Sequence, residues 1–390
     1  MTQEFPFLLA CVRRFFDPET PQPNAVGLDW RKLTQLADRH AVVALFCQAI
    51  RERNDIPADI LDYFQGRALE AARFDLTLSA ELSRLLKLFE GHQIQVVSLK
   101  GPALRYTLYG DTALRSSSDL DLLVRPEDVL RAKRALEAAG YYMQSVVPSN
   151  ADEACLRRRD CQVTLSRKIT DQDDLLFVDL HWRLLPGYFP RFFDEGEIWG
   201  CLRHVSMAGT PVSTLSPEHL LLFLCAHGTK HLWERLGWLC DIARLVQVET
   251  GIDWTKVFSE ARHTDSSRMV VLGLLLASEL LGISLPSAAR EHISSDQNDR
   301  ELIETVRHRL YDEILTPASA RESASFSRRA FERTGHRVRF LFGVFLEPTE
   351  AEYEALKLPL PLHWLYYFFR PLRLMFKYGW TWILKSDECC

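Results

Sequence analysis

Two acids separated by one apolar residue, Asp119-Leu120-Asp121, head a run that continues Leu122-Leu123-Val124. In a β-strand, side chains alternate between faces, so Asp119 and Asp121 point the same way, about 7 Å apart by strand rise. Two carboxylates so placed repel each other unless a cation sits between them. Hard oxygen ligands at that spacing suit Mg²⁺, which keeps waters and shares phosphate oxygens of a nucleotide. The rest of the strand reads as buried, where an unpaired acid is costly. By itself a D-x-D pattern is common on exposed strands. Three neighbours strengthen it. Lys100-Gly101 follows one strand and precedes a helix, so backbone N–H groups can approach a phosphate at the helix N-terminus. Arg115-Ser116-Ser117-Ser118 runs straight into the acidic strand and supplies a cation and small donors, Ser117 and Ser118 among them, so Lys100 and Arg115 read as the side chains that bind phosphate. A further acid sits inside the apolar strand Phe177-Val178-Asp179-Leu180-His181-Trp182. If the two strands lie side by side, Asp179 completes a three-carboxylate site. Two metal ions held there would position an attacking hydroxyl and neutralise a leaving pyrophosphate.

The elements that must position these groups are legible in outline. Residues 28–53 carry apolar residues at helical spacing, and residues 59–92 continue as a long helix ended by Gly91 and His92. The pattern then changes to a short buried strand at 95–99, a helix at 102–109, the acidic strand at 119–124 and a helix from Pro126 to Gly140. Strand-like runs follow at 161–165 and 175–182. Ser216-Pro217-Glu218 combines a cap, a first-turn proline and a first-turn acid, so a helix starts there. Helical periodicity also fills 236–248, 267–281 and 328–346.

Other candidates weigh less. His227 and His231 share a helix face, but HGTKH lacks the glutamate of H-E-x-x-H, so they read as core or cleft-lining residues rather than zinc ligands. Lys230, His231, Glu234 and Arg235 are candidates for the wall opposite the acids, Lys230 or His231 binding phosphate and a histidine or Glu234 taking the acceptor's proton. Asp241 reads equally as a cap or ion-pair partner of Arg235 or Arg244 and as a substrate contact. His181 reads as packing or acceptor pocket. Asp173-Asp174, with Asp171 and Lys168 near, reads as a solvated turn, and Arg157-Arg158-Arg159 as a wet helix end.

The 390 residues are 47% hydrophobic and 25% charged, the make-up of an ordinary globular chain, and carry a net charge of −5. No basic excess marks a duplex nucleic-acid binder. Nine cysteines occur without a CxxC pair, most inside apolar runs, which reads as reduced thiols in a cytoplasmic protein. The N-terminal apolar stretch has the wrong charge order for a signal peptide. Residues 357–384 interleave aromatics with Arg370, Arg373 and Lys377. This segment reads as a last packed helix with its basic residues outward, the alternative being contact with a membrane surface.

Taken together, KGPAL, LYGD, SDLDLLV and VDLHWRL, with the later HGTKHLWERLGWLCDIARL, resemble the uncharacterised nucleotidyltransferases of the DNA polymerase β-like superfamily, over about residues 92–245. The resemblance implies an α+β fold, a small mixed sheet flanked by helices, and Mg²⁺-dependent transfer of an NMP group from an NTP, expected to be ATP, to an acceptor the family does not specify. It implies Asp119 and Asp121 as metal ligands and Asp179 as the third acid. In place of the superfamily's Gly-Gly/Ser pair this chain has Lys100-Gly101-Pro102, and the gap to the first acid is longer. The expected organisation is an N-terminal helical region (1–93), the nucleotidyltransferase module (94–215) and a C-terminal helical domain with an aromatic-basic tail (216–390). A non-catalytic module of the same fold, a phosphotransferase with the same acids, and an envelope-associated enzyme are the alternatives.

Overall fold

The computed structural model describes residues 3–110, 113–143, 161–169, 175–189, 195–312 and 318–378. Cys155, Arg157, Arg158, Arg159, Asp171, Asp173, Asp174, Cys389 and Cys390 lie outside them. Helices come first: α1 (Glu4–Phe16), α2 (Trp30–Arg39), α3 (Val43–Ile50) and α4 (Ala58–Gly91). An α/β stretch follows, with β1 (Val96–Ser98), α5 (Gly101–Tyr109), β2 (Asp119–Val124), α6 (Val129–Ala138), β3 (Tyr142–Met143), β4 (Gln162–Lys168) and β5 (Leu175–His181). Next are α7 (Glu195–Gly200) and the hairpin β6 (Arg203–Met207) and β7 (Thr210–Thr214). The rest is helical: α8 (Pro217–Lys230), α9 (Leu236–Val248), α10 (Trp254–His263), α11 (Ser267–Leu281), α12 (Ser287–Arg290), α13 (Gln297–Tyr311), α14 (Ala320–Ala330), α15 (Thr334–Leu346), α16 (Glu350–Ala355) and α17 (Tyr366–Tyr378).

The main sheet runs β1-β2-β5-β4-β3, with β2 and β5 parallel and the other pairs antiparallel. Strand alternation sorts its residues. Leu120, Leu122, Val124, Leu176, Val178, Leu180, Val163 and Leu165 are buried in one core with Leu78, Leu82, Leu85 and Phe89 of α4 and Leu136 of α6. The polar positions 119, 121, 179, 181, 162 and 164 are left on the other face. A second core joins the N-terminal helices to α8, α9 and α11, so the first and last thirds of the chain fold against each other.

Two helices expected to be continuous are broken, each by a buried tertiary contact. Between α2 and α3 the chain turns at Ala41, in the left-handed region at φ 55°. His40 is fully buried there. Its Nδ1 accepts the N–H of Leu236 and its carbonyl accepts that of Gly237. Between α14 and α15, the carboxylate of buried Asp265 accepts the N–H groups of Glu332 and Arg333, which starts a new helix. Ser216 caps α8 through the N–H of His219, with Pro217 behind it, as its sequence foretells.

The C-terminal segment packs against α15, but with the opposite face from the one expected. Arg370 and Arg373 turn inward onto the fully buried Glu352, whose carboxylate also accepts the N–H of Thr349. Trp364, Phe368, Leu372 and Phe376, spaced four apart, are exposed. Inward arginines win because Glu352 would otherwise be an uncompensated buried charge. Among the described residues no helix is long and apolar enough to cross a membrane.

After α8 the chain holds Leu232 and Trp233 at φ 53° and 54°, both buried. Two adjacent left-handed side-chain-bearing residues are strained and persist only where the surroundings over-determine them. Here the Trp233 ring lies against Gly228, where an added Cβ would come within 2.4–2.6 Å of ring carbons. Gly228→Ala therefore forces a rigid buried ring to move. We expect a loss of about 1–3 kcal/mol, read as a lower urea midpoint with unchanged slope.

Candidate active site

The acids meet because of strand register. In the parallel pair β2–β5, Asp121 is the direct partner of Asp179, and Thr164 on β4 is the next partner across. One step along, Asp119 pairs with Phe177; one step the other way, His181 lies between Leu123 and Gln162. Asp119, Asp121, Asp179 and His181 thus share the cleft face of the sheet, all of them lining one cleft of about 1190 Å³.

Each carboxylate of the central pair has its own compensation. Asp121 Oδ1 lies 3.1 Å from His181 Nε2, and its Oδ2 lies 3.4 Å from Lys100 Nζ. Burial alone would push the Asp121 carboxyl up; the Lys100 ammonium and the His181 ring outweigh it and hold the group below the ordinary carboxylate range. Asp179 accepts hydrogen bonds from Gln162 Nε2 at 2.7 Å and Thr164 Oγ1 at 2.5 Å. Asp119 is left with less. Burial first, then the negative charge of Asp121, pushes it up to about 6.

The tightest set of donor atoms comprises Asp121, Asp179 and His181, all within 4.8 Å of one another. This differs from the expected trio, in which Asp119 stood where His181 does. Asp119 and His181 hold equivalent register positions, each two residues from one acid of the pair and diagonal to the other; the longer imidazole reaches across to Asp121 at 3.1 Å. Two carboxylates and an imidazole nitrogen at this spacing fit a divalent cation. His181 Nδ1 is buried with no hydrogen-bond partner among the described residues, which leaves the ring one uncommitted nitrogen.

The phosphate-binding expectations divide. Gly101 stands at φ 64° at the start of α5, and a Cβ there would lie 3.0 Å from the carbonyl oxygen of Asp119, so this close approach requires glycine. Arg115 does not face the cleft with a free charge. Its Nε lies 2.8 and 3.1 Å from the two oxygens of buried Asp241, and its Nη1 reaches the Ser117 hydroxyl and the Gly101 carbonyl. Asp241 consequently pairs with Arg115, not with Arg235 or Arg244, and also accepts from Tyr109 at 3.4 Å. Arg244 bonds the Leu108 carbonyl instead. Ser118 lines the cleft and hydrogen-bonds Asp119. Glu234 is an ion-pair partner of Arg309 at 2.5 Å. Lys230 lines the cleft with no ion-pair or hydrogen-bond partner among the described residues, and Arg235 lies over the Trp238 ring.

His227, His231 and Trp238 pack against one another in tilted and edge-on contacts, ring centroids 4.7–5.5 Å apart, and His227 Nε2 lies 3.5 Å from Lys100 Nζ. Burial, reinforced by Lys100 and Lys230, pushes His227 well below its ordinary range and His231 down to about 3. Both are neutral. Gln162 and Thr164 were not singled out from the sequence, because only register places them beside Asp179. His181 carried a signal, its i+2 spacing from Asp179.

With this geometry in view, the chain belongs to the family described as uncharacterised nucleotidyltransferase, whose model matches residues 27–282. It is therefore a transferase of the nucleotidyl class. No curated protein and no solved structure gives a significant match.

Two outcomes follow from the charges. Asp241→Asn leaves the Arg115 guanidinium largely buried without its counter-ion; the expected loss is about 3–5 kcal/mol, measured by urea unfolding and partly recovered in the double variant Arg115→Met/Asp241→Leu. The second concerns acid. Burial also pushes His40 down to about 3. Unfolded imidazoles bind protons near 6.5, whereas these three native ones do not. Their stabilising contribution is complete above about 6.5 and is lost progressively as pH falls below it. The urea midpoint should drop between pH 7.5 and pH 5.0, and by less in His231→Gln.

Proposed function

We propose that this chain moves a nucleoside monophosphate from an NTP to a hydroxyl or phosphate of a second substrate, in a polymerase β-like arrangement. The observation that carries this is Asp121 and Asp179 side by side in parallel register on a cleft face, in a chain of the nucleotidyltransferase family. Asp121, Asp179 and His181, with Asp119 beside them, would hold a divalent cation. When bound, that cation supplies charge neutralisation for the triphosphate and the leaving pyrophosphate. Lys230 and Arg235, whose charges no carboxylate consumes among the described residues, bind phosphate oxygens. Asp179, held by Gln162 and Thr164, orients the acceptor and receives its proton. The acceptor oxygen forms a bond to the α-phosphorus, the bond from that phosphorus to the bridging oxygen breaks, and pyrophosphate leaves. We assign acceptor choice to the far wall, built by Val344, Thr349, Tyr353 and Arg370. At about 1190 Å³ the cleft exceeds the roughly 300–1,000 Å³ of most small-molecule sites, which favours two substrates bound together.

The test is incubation with each NTP, Mg²⁺ or Mn²⁺, and cell extract, followed by product analysis. Pyrophosphate release with a labelled acceptor supports the reading. Release of a nucleoside diphosphate would replace it with phosphoryl transfer, and absence of nucleotide binding by calorimetry with a non-catalytic module. Asp121→Asn should reduce NTP consumption by more than the roughly 10–100-fold typical of outer-shell changes, with circular dichroism unchanged. Wild-type turnover in that variant would remove the mechanism.

A further inference from the structure

We infer that a ring nitrogen of His181 is itself a ligand, so that the centre is a mixed nitrogen–oxygen site selecting a first-row transition-metal dication over Mg²⁺. The inference rests on the reading that this cleft holds a divalent cation, and goes beyond it by naming the donor set and the metal class. Three observations carry it. First, the acids alone do not converge most closely; Asp121, Asp179 and His181 do, within 4.8 Å. Second, His181 is buried with one nitrogen on Asp121 and the other without a partner among the described residues. A buried polar nitrogen left unsatisfied is destabilising, and a bound cation would give this one a partner. Third, the cation that now compensates Asp121 has a second partner. Lys100 Nζ is 3.5 Å from the Nε2 of His227, which is neutral and offers a lone pair. A dication can take up Asp121 without stranding the lysine.

Imidazole nitrogen is a poor ligand for Mg²⁺, which demands oxygen and retains its waters. Along the first transition row, from Mn²⁺ to Cu²⁺, affinity for such a donor set rises. The centre should therefore prefer even Mn²⁺, the weakest of that row, to Mg²⁺.

The experiment uses the full chain and Mn²⁺ alone, without nucleotide. Pulsed electron paramagnetic resonance of the bound ion should show the coupling of a directly bonded ¹⁴N, changing to the ¹⁵N pattern in protein labelled with ¹⁵N-histidine. Neither result needs a variant to fold. His181→Gln, checked by circular dichroism, should lose the nitrogen coupling while retaining weaker Mn²⁺ binding. Asp121→Asn should lose the bound ion, which separates this centre from surface histidines. Displacement of Mn²⁺ should need at least a tenfold excess of Mg²⁺ in the wild type and less in His181→Gln. Bound Mn²⁺ with no nitrogen coupling, displacement by equimolar Mg²⁺, or no bound Mn²⁺ would each overturn the inference. Loss of nitrogen coupling with pyrophosphate release intact leaves the nucleotidyl reading standing. Nitrogen coupling without pyrophosphate release from any NTP sinks that reading alone.

Discussion

Two carboxylates are forced into adjacent register positions on neighbouring parallel strands, and much of the surrounding structure can be understood as a response. Asp121 and Asp179 are direct partners across β2 and β5. One face of each strand is consumed by the apolar core, so the acids have no freedom to turn away. A slip of either strand by one residue would put its acid into that core and its apolar neighbour, Leu120 or Val178, into the cleft. Like charges at such proximity must be compensated. Lys100 and His181 do so for Asp121, and Gln162 and Thr164 for Asp179. Asp119 has less compensation, and its proton affinity rises accordingly.

The helical layers hold the opposite side of the cleft. The end of α8 and the loop to α9 carry Lys230, His231 and Arg235, through a backbone that local preference disfavours, two consecutive left-handed residues. That conformation is maintained from three directions. Trp233 fills the space over Gly228, buried His40 from the N-terminal region receives the N–H groups of Leu236 and Gly237, and Arg309 of α13 pairs with Glu234. Strain placed beside a reactive cleft is kept only when distant packing determines it. Here the determining contacts come from residues nearly 200 positions apart.

What the sequence made legible was local, and what it hid was pairwise. Strand β2 and helices α9 and α11 lie where alternation and 3.6-residue periodicity put them, and α8 begins at its Ser-Pro-Glu signal. Those features need only neighbours along the chain. The break at Ala41 depends on His40 being bonded to α9, and the break before α15 on Asp265 capping it. Arg115 looked like a phosphate ligand because its partner, Asp241, is 126 positions away and equally plausible partners were nearer. The facing of α17 was misjudged for the same reason. Aromatic-basic periodicity identifies an amphipathic helix, but only Glu352, from another helix, decides which face turns in. At the site, D-x-D and the lone Asp179 were visible in composition and spacing. Preference for His181 over Asp119 in the closest donor set required the side-chain contact of the imidazole with Asp121 across the strand pair.

The boundary of the family match divides the cleft in a way that bears on specificity. The acids, His181, Lys100 and the α8–α9 loop fall within residues 27–282. Val344, Thr349, Tyr353 and Arg370 come from beyond it. Chemistry at the phosphorus requires fixed charge geometry, which a sheet register supplies and which tolerates little change. Selecting an acceptor requires only a shaped surface facing that geometry, and helices beyond the matched region can supply it. The clamp of Arg370 and Arg373 on Glu352 fixes that surface, because the buried carboxylate binds α16 to α17, and Arg370 also bonds the Val344 carbonyl of α15. In the proposed reaction, therefore, the acids lie within residues 27–282 and the wall assigned to the acceptor lies beyond them.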